Sequence, residues 1–213
     1  MRAHGRHRDS VETRAAILRA AEQIYAESGL AGARTEAIAA AAGVNKALLY
    51  YYFRSKEGLY QAVIGSQLRE FGRQVEKVLA ARGPAGPILL RYVSYQFDFI
   101  GMHPCYPRIF QRMMMEGDRT LRRIVREHSV PLKKMLVALL ARGMKSGEFR
   151  RLDPEHTLVS IAGLTGHYFN IAPAIRAITG QDPYSKGNLA RRRAEVLNFI
   201  RYALFRNPEA AQL

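Results

Sequence analysis

The chain has 213 residues, 48% apolar and 24% charged, with a single cysteine, Cys105. One thiol excludes a disulfide framework and a four-cysteine zinc site, and it points to a reducing, cytoplasmic setting. The formal net charge of +15 makes polyanions natural partners, but residues 1–60 carry 9 basic and 6 acidic side chains against 24 and 12 in residues 61–213, so the excess does not map a binding site.

No apolar run reaches the ~18 residues of a membrane helix, so no membrane partner is expected. No strand-like alternation and no long-period repeat appears, and the fold class is all-α. Arg2, Arg6, His7 and Arg8 form a basic arm over residues 1–9, placed to lie along phosphates or in a minor groove, or to remain a solvated tail. Asp9, followed by Glu12, reads as the N-cap of a first helix that Gly29 ends, with Ile17, Leu18, Ala21, Ile24 and Tyr25 as its apolar stripe. Thr35 is the expected N-cap of a short helix through Ala42, Gly43 supplies a left-handed turn, and Asn45 caps the next helix. Ser55 caps a long helix running towards Ala81. No proline precedes Pro84, where Gly83 to Pro87 reads as a joint. Beyond it, helices are expected at about 86–102, 106–116, 120–147 (kinked or split by Pro131), 154–172 (capped by Asp153) and 187–206.

The stretch from Thr35 to Lys56 has helix-turn-helix spacing. At 100° per residue, Leu49, Tyr52 and Phe53 share the face that must be packed, Ala47, Tyr50 and Tyr51 point the other way, and Lys46 and Leu48 flank that outward face. Small Ala47 permits close approach to a groove, Tyr51 offers a ring and hydroxyl to base edges, and Tyr50 and Lys46 reach phosphates. Amides after Thr35 and Ser55, with Lys56 beside the latter, are further phosphate donors. Leu48 either meets a thymine methyl or completes the core edge.

These residues resemble the signature of the TetR family of bacterial transcriptional regulators: Thr35, Ile38, Ala39, Ala42, Gly43, Val44, Asn45, Lys46, Leu49, Tyr50, Tyr52, Phe53, Ser55, Lys56, Glu57 and Leu59 fall into its pattern, and the match covers about residues 10–62. Ala47 stands where glycine or proline is frequent, and Leu48 where a small polar residue is usual. The resemblance implies an N-terminal three-helix DNA-binding domain, residues 1–60, joined to a larger helical ligand-binding and dimerisation domain, residues 61–213. It places Thr35, Asn45, Lys46, Ala47, Leu48, Tyr50, Tyr51 and Lys56 at a double-stranded DNA operator. It also implies a homodimer and a small-molecule effector that releases a repressor. Small Gly163 and Gly166, with Val196 and Ile200 on the last helix, are the expected dimer face. Tyr95, Asp98, His103, Arg108 and Met114 are the expected effector contacts, from a stretch rich in aromatic residues and methionine that would serve equally as ordinary core.

Two alternatives stand beside this reading. A basic protein that coats DNA without sequence preference would use the charge of the rear portion. A small helical enzyme would use His103 and Cys105, but neither an oxyanion hole nor a phosphate-loop glycine pattern is identifiable. No metal site and no cofactor is implied, and the chain is expected not to be an enzyme.

Overall fold

The computed structural model describes residues 2–116 and 119–209, and the side chains of these except 2–9, 113, 114, 116 and 119–121. Ten helices follow one another among the described residues: α1 (Arg2–Gly32), α2 (Thr35–Ala41), α3 (Lys46–Phe53), α4 (Lys56–Leu79), α5 (Ala85–Met102), α6 (Tyr106–Glu116), α7 (Arg119–Ser146), α8 (Pro154–Asn170), α9 (Ala172–Thr179) and α10 (Lys186–Leu204). They form two compact units, Met1–Leu68 with Arg108–Val125, and Arg69–Pro107 with Arg126–Leu213.

In the first unit α1 buries Ile17, Ala21 and Tyr25, one residue per turn, and packs on α2, which packs on α3. The helix begins at Arg2, so Asp9 lies within it rather than capping it, and residues 2–8 are its opening turns rather than an arm before it. The side chains of that stretch lie outside the described residues. At Gly29 the backbone leaves helical geometry (φ 68°, ψ −177°), the break expected there, but the helix resumes to Gly32. Arg112 of α6 donates through Nη2 to the carbonyl of Glu27 at 3.1 Å, which ties α6 to this end of α1.

The second unit is built around α5, which is buried on several sides at once by Ile88, Leu89, Leu90 and Val93 and packs against α8 and α10. Helix α7 adds Leu132, Leu136, Leu139 and Leu140 to the same core. It continues as one helix through Pro131 rather than splitting there, and its buried leucines begin directly after the proline. Asp153 caps α8 as expected, its carboxylate accepting from the amides of Glu155 and His156 at 2.9 and 3.1 Å. The helix expected to reach residue 172 ends at Asn170, and a separate α9 follows with Pro173 in its first turn and left-handed Gly180 at its end.

Two distant contacts close this unit. Phe149 and Phe205 form an isolated antiparallel bridge, flanked by Arg150 N–H donating to Leu204 O at 2.9 Å and Arg206 N–H to Glu148 O at 3.0 Å. Glu148 in turn caps α5, whose own N-cap residue is Pro84. Its carboxylate accepts from the amides of Ala85 and Gly86 at 3.0 and 2.8 Å and from the Ser146 hydroxyl at 2.8 Å. Among the described residues no single helix is long and apolar enough to cross a membrane, and α8 with α9 passes that test only as a pair bent by 59°.

Candidate nucleic-acid interface

Helices α2 and α3 are joined by a turn in which Gly43 takes a left-handed φ of 67° and Val44 N–H returns to Ala39 O at 3.0 Å. Asn45 is extended and its Oδ1 accepts from the amide of Leu48 at 2.9 Å, so α3 starts with a local cap. Thr35 does not cap α2. It is the first helical residue, Arg34 occupies the cap position without a side-chain bond, and Thr35 is only 7% exposed.

The far end of α3 is fixed by strain and close approach. Arg54 has φ 65° and ψ −41°, and the Ser55 amide donates to Phe53 O at 2.7 Å, a tight γ-turn of a kind that costs about 1–3 kcal/mol. Ser55 Oγ then accepts from Gly58 N–H at 2.9 Å to start α4. A Cβ at residue 58 would stand 2.3 Å from the Phe53 carbonyl oxygen, which requires glycine. Tyr25 donates its hydroxyl to Lys56 O at 2.8 Å, and burial raises the pKa of that phenol. These bonds fix the junction of α3 with α4 and tie the start of α4 to α1.

On α3, Leu49 and Phe53 are buried and Tyr52 is half-buried, with its hydroxyl donating to Ser10 Oγ at 3.2 Å. Arg14 lies over the Phe53 ring at 5.2 Å. Asn45, Lys46, Ala47, Tyr50 and Tyr51 are exposed, Tyr51 to 78%, and Leu48 is half-buried at their edge. This is the division that helical spacing gave. Two of the cations are engaged within the chain: Lys46 Nζ donates to Glu36 and lies 5.8 Å from the centre of the Tyr50 ring, and Lys56 Nζ donates to Ala31 O at 3.1 Å. Glu36 escaped the sequence reading because no spacing rule for a single helix reaches across the turn between α2 and α3. Exposed Arg34 and Arg54, at the ends of the two helices, are further cations beside this face.

Of the residues expected around an effector, Tyr95 and His103 both lie against the Phe99 ring, with centres 6.1 and 4.3 Å away. Tyr95 is half-buried and stacks on Phe71 at 5.8 Å. Asp98 pairs with Arg193 at 2.8 Å. His103 lies 3.7 Å from Glu70 and 4.3 Å, centre to centre, from the Phe99 ring. Cys105 is half-buried, Arg108 is exposed in the first unit, and the side chain of Met114 lies outside the described residues. Elsewhere on α5 and α6, burial pushes the phenol of Tyr106 up to about 12. Among the described residues no group of three or more His, Cys, Asp or Glu side chains is placed to hold a metal ion.

The expected dimer face needs a correction of register. Val196 and Ile200 are 1% and 2% exposed, because they are part of this chain's own core and are closed to a partner. The outward side of α10 instead carries Phe199, 59% exposed, and Tyr202, 51% exposed. With Leu164, Arg192 and Glu195 they line an open cavity of about 450 Å³ along α8 and α10. Gly163 and Gly166 sit on α8 with open space where a Cβ would be.

Comparison with known proteins agrees with the fold and with the helix-turn-helix. Residues 17–63 match the profile of bacterial regulatory proteins of the tetR family, and residues 88–200 match the Tetracyclin repressor-like C-terminal domain. The HTH-type transcriptional regulator RutR of Escherichia coli (strain K12) is 34% identical over 170 residues, spanning 78% of this chain and 77% of its own. Two solved structures share the fold at lower identity. A transcriptional regulator from Saccharomonospora viridis in complex with choline has a TM-score of 0.73 at 19% identity, covering 92% of this chain and 100% of its own. The regulator FadR from Bacillus subtilis in complex with stearoyl-CoA has 0.69 at 22%, covering 87% and 96%.

Proposed function

Because the chain belongs to the TetR family of bacterial regulatory proteins, we propose that this transcriptional regulator is a repressor that leaves a palindromic operator when a small molecule binds its second unit. The observation that carries the DNA reading is the outward face of α3, where two tyrosines stand exposed beside a lysine while Leu49 and Phe53 anchor the helix from behind. Tyr51 and Ala47 meet base edges, and Tyr50, Lys46 and Asn45 meet phosphates. Lys56 has ammonium donors beyond the one held by Ala31 and braces the backbone at the edge. Buried Thr35 contributes through its contact with Glu36 rather than as an exposed group. Arg34 and Arg54 extend the cationic rim.

A two-fold operator needs two copies of α3, about 34–36 Å apart, and a homodimer supplies them. The face that supports self-association is the exposed side of α8 and α10, where Gly163 and Gly166 leave room and Phe199 and Tyr202 present rings. The effector reading rests on the half-buried polar groups Tyr95 and Asp98 of α5 and His103 just past its end, and on the choline and stearoyl-CoA held by two proteins of this fold. A preference of ~10²–10⁴-fold for the released conformation, about 3–5.5 kcal/mol, is enough to move the chain from mostly bound to mostly free.

Genome-wide footprinting tests the reading. The expected result is protection of a few palindromes that alanine at Lys46, Tyr50 and Tyr51 together abolishes. Protection spread evenly along the DNA would favour a coating protein, and retention of the footprints by that triple variant would remove α3 from the interface.

A further inference from the structure

The donors beside the recognition face converge on one carboxylate. Glu36, the second residue of α2, is exposed, and its Oε1 accepts from Lys46 Nζ. Its Oε2 accepts from Thr35 Oγ1 at 3.4 Å. The Lys46 hydrogen bond holds the Glu36 carboxyl below its ordinary range, and the same pairing raises Lys46. An ammonium and a hydroxyl around two anionic oxygens are donors of the kind that a phosphodiester takes from a protein.

We propose that Glu36 is an internal stand-in for a DNA phosphate, occupying in the free chain the donors that a backbone phosphate takes in the complex, so that it must swing aside when the duplex seats. The proposal rests on the reading of α3 as the helix that meets DNA. A carboxylate that moves away gives up its bond to Lys46. That cost is the same for every sequence, because a phosphate carries no base identity. Glu36 therefore sets the level of affinity, while Tyr51 and Ala47 carry base preference. In a chain of net charge +15, such a residue also limits retention on bulk DNA.

The test uses the full-length protein and two duplexes, one recovered by in vitro selection with the wild-type chain and one a scramble of equal length and composition. Fluorescence anisotropy at fixed salt is read for the wild type, E36Q, E36A, K46Q and E36Q/K46Q, with circular dichroism to confirm that each is folded. E36Q and E36A are expected to bind both duplexes about two- to fivefold more tightly, by the same factor for each. K46Q is expected to weaken both, and E36Q/K46Q to bind no better than K46Q. Unchanged or weaker binding by E36Q and E36A would overturn the proposal, and so would a gain that survives in the double variant, which would mark only a general effect of charge. Failure of the underlying reading looks different: K46Q and Y51A would both leave each duplex bound as before, removing the recognition face and the role of Glu36 with it.

Discussion

Helices α3 and α10 both turn aromatic rings to the outside, yet their surroundings differ. On α3 the exposed rings are tyrosines, next to Lys46 and Asn45, on a short helix pinned by Leu49 and Phe53. On α10 they are Phe199 and Tyr202, beside Leu164 and above the buried stripe of Val196, Leu197, Ile200 and Leu204. An exposed aromatic ring alone does not name a partner, and its neighbours do. Hydroxyls and a cation on a short helix suit the edge of a nucleic acid, whereas phenylalanine in a groove where Arg192 and Glu195 carry opposite charges suits another protein surface.

The largest effect is expected where that contrast is reversed. Phe199→Asp replaces an exposed ring of that groove with a charge and, because a two-fold interface repeats each change, should raise the dimer dissociation constant by about 100-fold or more. Sedimentation velocity would show monomers, and operator affinity would fall with them. The fold itself should hold, since Phe199 faces outward, and the melting temperature of dilute protein checks this. Gly166→Glu, on the open side of α8, should act in the same direction. A fully dimeric Phe199→Asp protein would move the interface away from α10.

Next in size is Tyr51→Ala. This ring is 78% exposed, and its nearest aromatic neighbour is Tyr52, edge-on with centres 5.2 Å apart. Truncation should cost about 1–3 kcal/mol of operator binding and change base preference, with stability altered by no more than about 0.5 kcal/mol. Binding-site selection with the variant reads the preference, and chemical denaturation reads the stability. A large loss of stability would make Tyr51 a packing residue after all.

How legible each unit was in the sequence follows from the reach of its contacts. The caps of α3 and α4 come from Asn45 to Leu48 and from Ser55 to Gly58, three residues apart, and helical spacing alone separated Leu49 and Phe53 from Tyr50 and Tyr51. Asp153 on α8 was readable for the same reason. In contrast, Glu148 caps α5 from 62 residues away, and Phe149 pairs with Phe205. No local pattern announces either contact, nor the clustering of residues 108–125 with the first unit. On α10 the stripe was read correctly as apolar, but its partner was not: Val196 and Ile200 meet α5 and its neighbours within the chain, while the rings turned outward are those of Phe199 and Tyr202. Thr35 fits a capping pattern, and the helix begins one residue too early for it to serve.

Glu148 gives a test of intermediate size that probes a long-range cap against the local ones. Glu148→Ala should cost about 0.5–2 kcal/mol of stability, against a similar cost for Asn45→Ala confined to the first unit. Partial burial disfavours the Glu148 carboxylate, but the amides of Gly86 and Ala85 with the Ser146 hydroxyl outweigh it and hold the group below its ordinary value of 4.5. A carboxyl with a lowered pKa in the folded chain binds protons more weakly there than in the unfolded chain. Its contribution is therefore complete above about pH 4.5 and fades as pH falls through the lower folded value. Urea denaturation of wild type and variant should show a gap at neutral pH that narrows in acid. A gap independent of pH would mean that alanine acts through packing at this position.

The smallest effect, and the one that separates two roles of a single side chain, is expected at Lys56. Its ammonium donates to the carbonyl of Ala31 at 3.1 Å, near the end of α1, so a purely architectural role would appear as a modest loss of stability with DNA binding weakened only through it. A phosphate contact has a different signature. Each phosphate neutralised contributes about 0.9 to the slope of log affinity against log salt, and the contribution is equal for all sequences. Lys56→Ala should lower that slope by about this amount on both selected and scrambled duplexes, weaken each by the same small factor, and leave base preference as in the wild type. Lys56→Arg keeps the charge and should restore the slope even if the bond to Ala31 is remade imperfectly. Titrations across a range of potassium chloride concentrations decide the matter. A slope unchanged in Lys56→Ala, with a lower melting temperature, would leave Lys56 as a brace for α1 and confine the phosphate contacts to α3 and the arginines at its margins.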